Sequence, residues 1–117
     1  MILHSLILLY ASAASVYGNV IIPDETEAVH AKGSDVKLSC SFSASGYTDY
    51  VYWYRQYRRS KPEYLVEIIS NTNKAQQSLV DPRFTAYIEK RDKIHVELLL
   101  SSAAVSDSAV YYCALRP

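Results

Sequence analysis

Glycine is scarce in this chain, three among 117 residues, so no Gly-rich loop is present to wrap backbone amides around a phosphate. Histidine is equally sparse: His30 and His95 stand alone, without the Cys, His or Asp spacing of a metal site. The serines lack a recognisable pairing with a histidine and an acid, which removes the usual signature of nucleophilic hydrolysis. Charge of either sign is not in excess, with twelve basic and twelve acidic side chains. That balance argues against steering toward nucleic acid or an anionic membrane. No Asn-x-Ser/Thr acceptor occurs, so N-glycosylation is not expected. The expectation is a protein with no catalytic residues, no cofactor, no metal and no nucleic-acid partner.

Long apolar runs are also few. One, centred on Leu6-Ile-Leu-Leu9, opens the chain and is followed by small residues, which reads as a secretory signal over residues 1–18. Cleavage after Gly18 is preferred, with Ala13 and Ser15 as alternatives, and a single domain is expected over residues 19–117. No second run of membrane length follows. Two cysteines in a short secreted chain suit one bridge and an oxidising compartment. Tyrosine is the surplus residue, eleven in all, and it supplies rigid amphipathic contact area at low entropy cost.

From Asn19 onward short alternating patterns are separated by turn residues, which predicts an all-β domain. Val36, Leu38, Cys40 and Phe42 alternate with Lys37, Ser39 and Ser41, giving one buried and one wet face. Val51-Tyr-Trp-Tyr-Arg-Gln-Tyr57 predicts a second strand, and Ser60-Lys-Pro62 turns the chain into a third over residues 64–69. Phe84, Ala86 and Ile88 predict one inward set; Ile94, Val96, Leu98 and Leu100 predict the next. Val110 to Cys113 forms the last strand. Glu89-Lys-Arg-Asp-Lys93 mixes signs and reads as a solvated turn.

Asp107-Ser-Ala-Val-Tyr-Tyr-Cys113, with Cys40 far upstream and Trp53 between, resembles the variable-type immunoglobulin fold. Trp53-Tyr54-Arg55-Gln56, Arg83-Phe84 and Asp107 narrow the resemblance to a T-cell receptor α or δ variable segment. The resemblance implies a V-type antiparallel Greek-key β-sandwich in which Cys40 and Cys113 bridge the sheets against Trp53. It also implies that Tyr111 forms the tyrosine corner and that Arg83 pairs with Asp107. Such a bridge would stabilise the domain by roughly 4–5 kcal/mol on chain-entropy grounds.

The resemblance assigns functional surfaces too. Period two places Tyr54, Gln56 and Tyr112 on the face opposite Trp53, where the family meets its partner chain, with Pro62 and Leu65 at the border. Three antigen loops follow: the first holding Tyr47, Thr48, Asp49 and Tyr50, the second Asn71, Thr72, Asn73 and Lys74, the third beginning at Leu115 and Arg116. The implied partners are a β or γ/δ type receptor variable chain, a peptide on an MHC molecule or another cell-surface ligand, and signalling subunits reached through constant and transmembrane regions. The implied location is the secretory pathway and then the outer face of the plasma membrane. The chain stops shortly after Cys113, so the joining pattern Phe-Gly-x-Gly and the final G strand are expected to be missing, as in a germline segment. One ladder side of Val110 to Ala114 should then be unpaired. An innate, non-rearranging receptor or adhesion module of the same fold is the alternative, and a secreted hydrolase a distant one.

Overall fold

Alternation along the chain resolves into strands whose inward residues build one core. The computed structural model describes residues 5–13, 22–23, 27–43 and 48–116. Among the described residues there are ten strands: β1 (Ser5–Ala13), β2 (Ile22–Pro23), β3 (Glu27–Ala31), β4 (Val36–Phe42), β5 (Tyr50–Gln56), β6 (Glu63–Ile69), β7 (Gln76–Gln77), β8 (Phe84–Lys90), β9 (Ile94–Leu100) and β10 (Val110–Arg116). A single turn of 3-10 helix, Val105–Asp107, leads into β10, and no α-helix occurs among the described residues.

The strands form two five-stranded sheets, ordered β3-β1-β10-β5-β6 and β2-β4-β9-β8-β7. Every pairing is antiparallel except β1 with β10. Val36, Leu38, Cys40 and Phe42 from one sheet and Val51, Trp53, Tyr111 and Cys113 from the other are all buried in the same core. Cys40 is bonded to Cys113 across the sandwich, with their Cα atoms 6.6 Å apart. Trp53 lies beside Cys113 in cross-strand register, so the indole and the bridge occupy one layer. Ile88 and Ile94 are only partly buried against this core, because they flank the solvated turn at Arg91–Lys93.

Two expectations are corrected here. The edge of Val110 to Ala114 is not open: Leu9 to Ala13 pair with it in parallel, from Leu9↔Val110 to Ala13↔Ala114. An uncharged run that reads as a leader also satisfies the requirements of a strand, and an edge with free amides and carbonyls attracts one. Leu65 does not border an exposed patch but is fully buried, as is its neighbour Val66. The register of β5 with β6 shifts between Trp53 and Tyr54. Strict alternation fails at such an irregularity, and two consecutive side chains face inward.

Candidate recognition site

Cross-strand register decides which ends of the chain meet. Arg116 is level with Tyr50, and Tyr50 is level with Ile69. The start of the third candidate loop, the end of the first and the start of the second therefore share one end of one sheet. The backbone holds them there: the Asp49 amide donates to Ser70 Oγ at 3.0 Å, and the Ser70 amide donates to the Asp49 carbonyl at 2.9 Å. Asn71 Nδ2 donates to Thr48 Oγ1 at 3.4 Å, which ties the two loops side chain to side chain. Within the second loop the Lys74 amide donates to Thr72 Oγ1 at 3.1 Å, an ST-turn that shapes the tip.

The candidate loop residues divide on exposure. Thr48, Asn71, Asn73 and Lys74 are exposed and Thr72 is half-buried. Asp49, expected as a contact residue, is only 5% exposed, and both its backbone groups bond Ser70. Tyr50 and Leu115 are strand residues, half-buried and buried respectively, so they support the loops instead of forming them. Arg116 is also within β10. Tyr47 lies outside the described residues.

The face of β5, β6 and β10 that turns away from the core carries tyrosines. Tyr52, Tyr54 and Tyr64 form a three-ring cluster with centroids 6.2–6.4 Å apart, and Tyr64 remains 45% exposed. Burial and the charge of Glu67 push the Tyr64 hydroxyl above its ordinary pKa. Tyr112 Oη donates to Gln56 Oε1 at 2.8 Å, and Gln56 Nε2 donates to the Ser60 carbonyl at 3.0 Å. Gln56, expected on the partner-facing surface, is bonded at both its amide oxygen and its amide nitrogen within the chain. Pro62 is exposed at the β5–β6 turn. Tyr52 and Tyr64 were not singled out from sequence; period two from Tyr54 reaches Tyr52, but Tyr64 needs the shifted hairpin register.

At the opposite end of β10 the charges converge. Arg83 Nη1 and Nη2 donate to the two carboxylate oxygens of Asp107 at 2.8 and 2.9 Å, and Arg83 also bonds Asp81 at 2.9 Å. Burial raises the Asp107 pKa, but the Arg83 bonds and the Ala104 amide outweigh it, and the carboxyl ends below its ordinary value. Tyr111 Oη donates to the Asp107 carbonyl at 2.6 Å, the contact of a tyrosine corner, and burial pushes its hydroxyl well up. Arg55, not anticipated as a core residue, is 6% exposed. It pairs with Glu63 at 2.6 Å and Asp81 at 3.6 Å while its guanidinium covers the rings of Tyr57 and Phe84. These groups pin the sandwich; they lie at the end of β10 away from the loops. No cluster of three metal-ligating side chains, and no helix long and apolar enough to cross a membrane, occurs among the described residues.

A disulfide-stapled two-sheet sandwich with a tyrosine corner and loops gathered at one end defines a variable-type immunoglobulin domain. The immunoglobulin V-set domain model matches residues 24–117. The rabbit (Oryctolagus cuniculus) T-cell receptor alpha chain V region RL-5 is 29% identical over 96% of this chain and 79% of its own length. The mouse (Mus musculus) T-cell receptor alpha chain V region 2B4 is 36% identical over 72% of this chain and 58% of its own length. Human (Homo sapiens) T cell receptor alpha variable 26-1 is 31% identical over 74% and 72% respectively. The chain belongs to the V-set immunoglobulin family, as a variable domain of the T-cell receptor α/δ type. Its role is antigen recognition by an extracellular receptor of the adaptive immune system, not enzymatic catalysis.

Proposed function

We propose that this domain is one half of a paired antigen receptor. The tyrosine-bearing face of β5, β6 and β10 meets the variable domain of a β or γ/δ type partner chain. The loop end around Thr48, Asn71–Lys74 and the segment after Arg116 contacts a peptide on an MHC molecule or another cell-surface ligand. The carrying observation is the cluster of half-buried Tyr52 and Tyr54 with exposed Tyr64 on the sheet whose end also holds the loops. Aromatic residues with a polar tip are the side chains enriched at interface centres, and an aromatic patch rimmed by polar groups is a common interaction surface. Residues 1–18 serve as the secretory leader and residues 19–117 as the receptor domain. Constant and transmembrane regions place it on the outer face of the plasma membrane and connect it to signalling subunits.

The test separates the two surfaces. With a partner variable domain, Tyr64→Glu should weaken heterodimer formation by about tenfold or more in sedimentation, as loss of a central aromatic contact does. Asn73→Ala with Lys74→Ala should leave pairing intact and reduce ligand binding by the paired receptor. Pairing that is indifferent to Tyr64→Glu, with the domain still folded, would reject this face as the interface.

A further inference from the structure

The side of β10 that faces away from β5 is a row of backbone donors and acceptors, and its occupant determines whether the sheet has a sticky margin. We propose that this edge is a strand-acceptor site, that the unprocessed chain fills it with its own segment Ser5–Ala13 in parallel register, and that this occupancy closes the edge against other strands. The proposal rests on strand pairing alone and does not depend on the partner or ligand proposed above.

Three observations carry it. Pairing runs over five consecutive positions, Leu9↔Val110 through Ala13↔Ala114, which covers the side of Val110–Ala114 that β5 leaves over. The same strand pairs on its other side with β3, from Ser5↔Ala31 to Leu9↔Glu27, and among the described strands β3 joins its sheet through β1. Residues 5–13 contain no charge, proline or glycine, a composition compatible with strand addition and without the usual blocks against it. A second strand added to this edge would have to pair with β10 from the same side. It would need the same backbone groups, and one edge holds one strand, so the two occupants exclude each other.

Hydrogen exchange on the full chain reads the occupancy directly. In the unaltered chain the β10 amides directed away from β5 should be protected. Tyr10→Pro with Ala11→Pro removes two adjacent donors and strains the strand; those amides should then exchange on the order of tenfold faster or more, while amides of β4 and β9 stay protected. A synthetic peptide of the sequence 5–13 added to the proline variant should slow them again. Equal exchange in the two chains would overturn the proposal. Should the proline variant lose protection throughout, register is read instead by crosslinking in the otherwise unaltered chain. Leu9→Cys with Val110→Cys should form a 9–110 bridge under oxidation, whereas Leu6→Cys with Val110→Cys should not. A folded chain that forms neither bridge, or both equally, overturns it as well.

Discussion

Asp107 is the residue on which most of one end of the sandwich depends. Its carboxylate accepts from two nitrogens of Arg83 and from the Ala104 amide, and its carbonyl accepts from Tyr111 Oη. The Asp107 carboxyl is held below its ordinary pKa, and so is that of Asp81, chiefly through its bond to Arg83. A carboxyl depressed on folding contributes stability that is complete above its unfolded pKa of about 3.9 and is lost as pH falls through the lower folded value. Asp107→Asn should therefore cost about 1–3 kcal/mol near neutrality and flatten the acid limb of the stability curve, read by urea unfolding between about pH 2 and 6. The Arg83 side chain is partly exposed, which keeps the figure below that of a fully buried pair. Tyr111→Phe removes only the buried hydroxyl contact and should cost about 1 kcal/mol with no change in that limb. The Arg83 and Asp107 pairing was legible because both residues sit in motifs; Asp81, two residues before Arg83, carries no such signal, since nothing in sequence says which way a turn carboxylate points.

Between elements, the β5–β6 hairpin contains the departures from simple alternation. Period two correctly places Trp53 inward and Tyr54 and Gln56 outward, and by the same rule it places Arg55 inward, where a charge is unexpected. Burial lowers the Arg55 pKa, but the hydrogen bond and charge of Glu63 outweigh it and leave the guanidinium firmly protonated. Its stem and ring contacts fill space, while its charge serves carboxylates that have other recourse: Glu63 is about half exposed and Asp81 keeps Arg83. Removing the charge alone strands no buried ion, so Arg55→Met should cost only about 1 kcal/mol. Arg55→Ala, which empties the space between Tyr57 and Phe84, should cost about 3 kcal/mol. Thermal unfolding of the two variants distinguishes packing from charge; equal losses would assign the effect to the ion pairs. Leu65 shows where legibility ends at this scale. The register shift between Trp53 and Tyr54 turns Leu65 and Val66 inward together, and its position depends on how two strands twist against each other, which no local pattern records.

For the whole molecule, the sandwich architecture was readable because the cysteine, tryptophan and tyrosine positions each fit one layer of it, whereas the parallel strand β1 was not. The features that mark Leu6 to Leu9 as a leader, apolar and uncharged, are the features of a good strand, and only the free edge of β10 decides between them. The bridge bears on the molecule at this scale because its two ends lie in different sheets, Cys40 in β4 and Cys113 in β10, and the chain between them contains β5 to β9. Closing so long a loop removes much of the freedom of the unfolded chain, and the chain-entropy relation assigns it about 4–5 kcal/mol. Marginal stability for a domain of this size is about 5–15 kcal/mol, so that one bond is comparable with the whole. Cys40→Ala with Cys113→Ala should lower Tm by on the order of 20 °C. Part of that loss comes from the cavity left beside Trp53, and Cys40→Val with Cys113→Ala should recover a fraction of it by filling space. A double variant within about 1 kcal/mol of the parent in urea unfolding would show that the two sheets are held by core packing alone and that the bridge adds little to it.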